Sequence, residues 1–122
     1  MTIRLLAFDY DGTAAVDGRL PSDRVCDAVA AARARGVRVV LATGRPYPSA
    51  RRYAEALGLD APVICFQGAM VREVAGGKNT LFCEPVPAGP MHEVLALAEE
   101  RRLDLNVYGE DEFYFVDHGR PT

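Results

Sequence analysis

The chain sets 17 acidic side chains against 14 basic ones in 122 residues, a formal charge of −3, so it has no basic excess with which to neutralise a nucleic-acid backbone. Its length allows one modest domain with an ordinary globular balance, 49% hydrophobic and 25% charged. No apolar run approaches the roughly 18 residues that span a bilayer, and Met1-Thr2-Ile3-Arg4 enters a strand with no leader-like apolar stretch.

Ile3, Leu5, Leu6, Ala7 and Phe8 read as a buried first strand, after which Asp9-Tyr10-Asp11-Gly12-Thr13 turns the chain. A loop to Pro21 leads to a helix from about Ser22 to Arg35. Ser22 suits its N-cap and Gly36 its left-handed stop. Val25, Ala28, Val29 and Ala32 share one apolar face. Val37 to Ala42 is a second buried strand, broken by Thr43-Gly44-Arg45-Pro46. A second helix covers roughly Pro48 to Leu57, and Val63 to Phe66 is a third strand ended by Gln67-Gly68. This strand–helix–strand–helix–strand order favours parallel pairing with right-handed connections. The strands show little alternation, as expected where both faces of a sheet are covered.

After Gly68 the pattern changes. Ala69 to Val74 and Thr80 to Glu84 flank Ala75-Gly76-Gly77-Lys78-Asn79 as a hairpin. Pro85-Val86-Pro87 marks a break, and an α+β module is expected to begin there. It comprises a helix from about Pro90 to Arg102, with Met91, Val94, Leu95 and Ala98 on one face, and strands Leu105 to Tyr108 and Glu112 to Val116. No closing element follows over 117–122. Tyr108, Phe113, Tyr114 and Phe115 are expected in a strand core. Cys26, Cys65 and Cys83 match neither a zinc nor a disulfide pattern, so core cysteines in a reducing cytoplasm are expected.

Two loops carry chemistry, and both follow strands at the end where open parallel sheets place their sites. Asp9 and Asp11 lie two apart and point the same way. Such a pair can hold Mg²⁺, which prefers hard oxygen ligands, or divide labour between nucleophile and proton shuttle. Gly12 allows close backbone approach, and its N–H can face an anion. A polar turn after a strand would also use Asp and Gly. Thr43 offers a hydroxyl, Gly44 a tight turn, and the following helix an N-terminus for an anion. A plain strand-to-helix loop would use the same residues. Arg45 adds positive charge nearby or is a solvated arginine at a helix start, the latter favoured.

Taken together, Asp9-Tyr10-Asp11-Gly12-Thr13 and Ala42-Thr43-Gly44-Arg45-Pro46 resemble the first two motifs of the haloacid dehalogenase (HAD) superfamily of phosphohydrolases, in its Cof-type branch. Phe66-Gln67-Gly68-Ala69 resembles that branch's Asn-Gly-Ala segment. The resemblance implies an α/β fold: a partial Rossmann-like three-layer parallel-sheet core with hairpin over 1–84, and the start of an inserted α+β cap over 85–122. It implies a Mg²⁺-dependent phosphatase acting on a small phosphorylated metabolite of sugar-phosphate type. Asp9 would form an aspartyl-phosphate. Asp11 would protonate the leaving alcohol, with a pKa raised in the substrate complex. Mg²⁺ would bridge Asp9 and the phosphoryl oxygens, with the Asp11 carbonyl as a further ligand. Such a cation offsets the roughly 4 kcal/mol repulsion between like charges at 4 Å and an effective dielectric of 20. Thr43, with the backbone amides of Asp11, Gly12 and Gly44, would hold the phosphoryl group, with Arg45 nearby.

The sequence departs from this pattern in several places. A later lysine and a Gly-Asp-type acidic segment are absent; Lys78, the only lysine, falls in a hairpin turn. Asp111, Glu112 and Asp117 read as exposed turn charges, and His92 and His118 as surface residues. Tyr10 replaces an aliphatic or Phe residue, Ala14-Ala15 a Leu pair, and Gln67 an Asn. The chain therefore resembles the N-terminal part of a longer enzyme, and the isolated 122 residues are expected to be inactive or nearly so. The alternative is a non-catalytic truncated or degenerate module that binds Mg²⁺ or phosphate, or that acts only with a partner chain. A phospho-acceptor receiver domain is disfavoured, because its acceptor Asp ends a later strand. No nucleic-acid or membrane partner is expected.

Overall fold

The computed structural model describes residues 2–16, 18–76 and 79–116. They fall into two compact units, Met1–Glu84 and Pro85–Thr122. In the first, β1 (Leu5–Phe8), α1 (Asp23–Ala34), β2 (Arg38–Leu41), α2 (Tyr47–Ala56) and β3 (Val63–Cys65) follow one another, then a 3-10 turn (Phe66–Gly68), β4 (Met70–Arg72) and β5 (Thr80–Cys83). The second holds α3 (Ala88–Arg101), β6 (Leu105–Tyr108) and β7 (Phe113–Val116).

β1 and β2 pair in parallel, Leu5 beside Arg38 through Phe8 beside Leu41. Past the strand ends, the Ala42 N–H donates to the Phe8 carbonyl at 3.0 Å and the Thr43 N–H to the Ile64 carbonyl at 2.9 Å. Ala42 and Ile64 form a parallel bridge. β2 thus lies between β1 and β3, and the segments after β1 and β2 emerge side by side at the same edge. The anticipated hairpin forms as an antiparallel pair, β4 with β5, and β4 also pairs antiparallel with β3.

The core gathers on β2 and β3 and the inward faces of the two helices. Val39, Leu41, Val63 and Cys65 are buried with Val29 of α1, Tyr47, Ala50, Tyr53 and Ala54 of α2, and Leu57 just past its end. The α2 positions recur at helical spacing, so a single face supplies them. α2 starts where Pro46 precedes Tyr47 and Pro48 occupies the first turn, which needs no N–H donor there. Its start is tied down by the Tyr47 hydroxyl, which donates to the Glu73 carbonyl at 2.7 Å, and by the Arg72 guanidinium 4.3 Å from the Tyr47 ring. α1 meets the last residue of α2 through Cys26 Sγ against the Ala56 carbonyl, and the loop after α2 through an Arg33–Asp60 ion pair at 2.9 Å.

Several expectations are corrected. β1 is not buried: Ile3, Leu5 and Leu6 are 69%, 57% and 41% exposed. Among the described residues β1 pairs on one side only, so a lateral neighbour that would cover it is not there. Ala28 on α1 and Val94 on α3 face outward from their apolar stripes. Ser22 stands at the N-cap of α1, but its side chain makes no capping bond. Cys65 is buried and Cys26 half-buried, whereas Cys83 is exposed on β5.

In the second unit β6 and β7 form an antiparallel pair, Leu105 beside Val116 through Tyr108 beside Phe113. Tyr108, Phe113, Tyr114 and Phe115 lie on these strands, yet all are exposed. A two-stranded ribbon has too little partner surface to bury both faces. Tyr108 and Phe113 instead pack on each other with ring centroids 5.1 Å apart. His92, Asp111 and Glu112 are exposed, as anticipated. Lys78, Asp117, His118 and the chain end over 117–122 lie outside the described residues. Among the described residues no helix is long and apolar enough to cross a membrane.

Candidate active site

The site forms where the chain leaves β1. Side chains alternate there, and Tyr10 points inward and is fully buried, so Asp9 and Asp11 on either side of it point outward. Asp9 is exposed and Asp11 half-buried. The Tyr10 carbonyl then accepts the N–H groups of Thr13, Ala14 and Ala15 at 3.3, 2.9 and 3.0 Å. Gly12 supplies the φ of +75° that this tight turn requires. The expected anion donor at Gly12 is corrected here, because its N–H donates to the Ala15 carbonyl at 2.8 Å and is spent inside the turn.

The second loop meets the first through Arg45. Its Nε donates to Asp11 Oδ2 at 2.6 Å and its terminal nitrogen to Asp11 Oδ1 at 2.7 Å, a bidentate pair. The backbone N–H of Arg45 donates to Thr43 Oγ1 at 3.2 Å. The pair joins the two loops across 34 residues of chain, and Thr43 stands two residues before Arg45 in the second of them. The favoured reading of Arg45 as a solvated helix-start residue is overturned, since it is the hinge of the site.

Thr43 is buried, its backbone held by Ile64 and its hydroxyl oriented by the Arg45 amide. That hydroxyl still has its own proton to donate. Gly44 leaves room for the Gln67 amide: a Cβ there would lie 2.2 Å from Gln67 Nε2, and that flexible side chain would have to move aside. The turn that delivers Gln67 is strained, with φ of +51° at Phe66 and +57° at Gln67. The Phe66 N–H donates to the Arg45 carbonyl at 3.0 Å, which ties this strained turn to the site.

The electrostatics follow from the pair. The Arg45 guanidinium holds the Asp11 carboxyl below its usual range, which outweighs the opposing effect of partial desolvation. Asp11 in turn raises the Arg45 pKa. In this ligand-free geometry Asp11 is thus ionised and paired, the reverse of the raised value expected once substrate is bound.

Reasoning from sequence missed the aromatic floor of the site. The Arg45 guanidinium lies 5.1 Å from the Tyr53 ring centroid. Tyr53 stacks on Tyr10, with centroids 3.9 Å apart and planes 21° apart. Alternation around Asp9 and Asp11 signals an inward Tyr10, but nothing in the spacing couples it to Tyr53. A separate open depression of about 540 Å³ lies at the opposite end of β2, lined by Arg33, Arg38 and Asp60 among others, and holds none of these residues.

Residues 6–120 match the family model of the haloacid dehalogenase-like hydrolases. The chain belongs to this family, in its Cof-type branch. It is 28% identical over 111 residues to the pyridoxal phosphate phosphatase YbhA of Escherichia coli, covering 91% of this chain and 40% of that protein. It is 28% identical over 116 residues to the 5-amino-6-(5-phospho-D-ribitylamino)uracil phosphatase YitU of Bacillus subtilis, covering 93% and 43%. Among solved structures, a haloacid dehalogenase-like hydrolase from B. subtilis superposes with a TM-score of 0.80 at 25% identity, covering 93% of this chain and 39% of that one. The chain thus spans about two fifths of the length of these relatives.

Proposed function

We propose that the protein is a phosphatase for a small phosphorylated metabolite of sugar-phosphate type, working through an aspartyl-phosphate at Asp9. The observation that carries this reading is the Asp11–Arg45 pair, which joins the acidic turn after β1 to the Thr43 loop after β2 at the C-terminal edge of parallel strands. The names of the two relatives, each a phosphatase of a phosphorylated small molecule, support it.

Asp9 would attack phosphorus through a carboxylate oxygen as the bond from phosphorus to the ester oxygen breaks. Asp11, protonated from solvent once Arg45 has left it, would give that proton to the departing alcohol and later take one from the water that opens the acyl phosphate. Asp11 cannot donate while Arg45 holds both its oxygens, so Arg45 must turn toward the phosphate first. A dianionic phosphoryl group competes for the guanidinium, as bidentate arginine recognition allows. Thr43 and the Gly44 backbone amide would hold the remaining oxygens.

Mg²⁺ fits this donor set in the manner usual for phosphate enzymes, with one or two carboxylates and the rest from water and substrate. The Asp9 carboxylate and the Asp11 main chain would hold it, and when bound it would screen the charge between Asp9 and the phosphate.

The test is release of a generic aryl alcohol from its phosphate ester, with Mg²⁺, by the full-length protein that carries this chain. Turnover that Asp9→Asn abolishes supports the reading, and a fully active Asp9→Asn protein rejects it. The alternative is a non-catalytic truncated or degenerate module that binds Mg²⁺ or phosphate, or acts only with a partner chain. That alternative, like the proposed near-inactivity of the isolated 122 residues, predicts no turnover at any Mg²⁺ concentration.

A further inference from the structure

Two tyrosine hydroxyls reach out of the core to the same short stretch of backbone. The Tyr10 hydroxyl donates to the Arg19 carbonyl at 2.6 Å, and the Tyr53 hydroxyl to the Gly18 carbonyl at 3.2 Å. The rings that carry them are stacked and buried. If packing alone were needed, phenylalanine would fill both places, so the hydroxyls call for a separate account.

That backbone closes around the acid. The Gly18 amide hydrogen-bonds the Asp11 carboxylate, adding to the pull of Arg45. A Cβ on Gly18 would lie 3.5 Å from the terminal nitrogen of Arg45, so this residue also walls the guanidinium. Tyr53 underlies the same guanidinium through its ring face. The contacts form a ring: Asp11 to Arg45, Arg45 over Tyr53, Tyr53 to Gly18, and Gly18 back to Asp11. Tyr10 stiffens it by stacking on Tyr53 and tying the next carbonyl. Burial keeps the Tyr10 phenol protonated well above neutral pH, so it remains a donor.

We propose that the stacked Tyr10–Tyr53 pair is a positioning device that aims Asp11 and Arg45 by fixing the Gly18–Arg19 backbone against them. The part that concerns turnover rests on the phosphatase reading above; the part that concerns geometry does not. Neither tyrosine touches the reacting atoms. Each acts through the Gly18–Arg19 backbone, which remains beside the Asp11 carboxylate when Arg45 turns to the phosphate and so keeps the acid aimed.

The test uses Tyr10→Phe and Tyr53→Phe, which keep the stack and remove one hydroxyl each. The first readout is exchange of the Arg45 Nε–H with water, followed by ¹⁵N NMR in the ligand-free full chain. Each variant is expected to speed exchange about fivefold, the weight of one lost hydrogen bond, with the core amides undisturbed. The second is aryl phosphate turnover by the full-length protein, where kcat should fall about fivefold while KM holds. Should a Phe variant not fold, Tyr53→Leu, which removes the ring face below Arg45, must speed exchange at least as much.

Exchange unchanged within twofold in the folded variants overturns the proposal, as does faster exchange with kcat unaltered in an active enzyme. Asp9→Asn separates the two readings. If it stays active while the tyrosine variants loosen Arg45, the catalytic reading fails and the positioning geometry stands. If it is dead while Arg45 exchange ignores both hydroxyls, the reverse holds.

Discussion

Replacing Arg45 with Ala probes the hinge of the site, and the structure sets its cost. Both partners are partly solvated, with the Arg45 and Asp11 side chains 31% and 38% exposed, so screening limits the ion pair. Its two short bonds place it at the top of the range for exposed pairs, about 1 kcal/mol. The guanidinium over Tyr53 adds about 0.5 kcal/mol, for a total near ~1.5 kcal/mol. In a unit of 60–100 residues this corresponds to a Tm lower by roughly 6–12 °C. The pH dependence is more telling than the size. Asp11 has a folded pKa below its unfolded one, so its stabilisation is fully present above the unfolded value, about 3.9. It is lost as pH falls through the depressed folded value. Thermal unfolding should show the full gap between the parent protein and Arg45→Ala at pH 7, and a narrower gap at an acid pH below the unfolded value, as the ion-pair share is lost. A ¹³C titration of Asp11 should move up toward the ordinary range in the variant. A gap of equal size at both pH values, or an unmoved Asp11 titration, would refute the reasoning.

Other consequences follow from burial. Leu41, fully buried in β2, should cost about 2–5 kcal/mol on conversion to Ala. Leu6→Ala on exposed β1 should cost under about 1 kcal/mol, and chemical denaturation would compare the two. Cys83 should react rapidly with a thiol reagent at pH 8. Cys65, buried and with its pKa pushed up to about 11 by desolvation, should label only on unfolding. Equal labelling of the two cysteines in the native protein would contradict the packing described here.

Local pattern made the first unit's elements legible, because hydrophobic periodicity and the Gly and Pro punctuation act over a few residues. α1, α2 and β2 fall within a residue or two of their expected bounds. The burial of β1 was not legible, since it depends on what lies beside the strand and not on what is in it. The same holds for the aromatic ribbon of β6 and β7, whose residues choose strand without thereby acquiring a core. The two acids and Thr43 stand out as candidates through residue type after a strand, which is a local signal. Arg45 did not, because a helix-start arginine looks the same whether it faces water or an aspartate brought close by strand pairing. Tyr10 and Tyr53 were opaque for a related reason: aromatic residues on apolar faces suggest packing, and only the fold shows their hydroxyls reaching Gly18 and Arg19.

The central claim is that Asp9, Asp11 and Thr43 serve one phosphoryl site, and an NMR titration of the full chain with beryllofluoride, a phosphoryl mimic, and Mg²⁺ tests it most directly. Amide shifts should concentrate at Asp9, Asp11, Gly44 and Arg45, saturate together, and vanish in Asp9→Asn. Saturable shifts clustered elsewhere, or the same shifts persisting without the Asp9 carboxylate, would contradict the account.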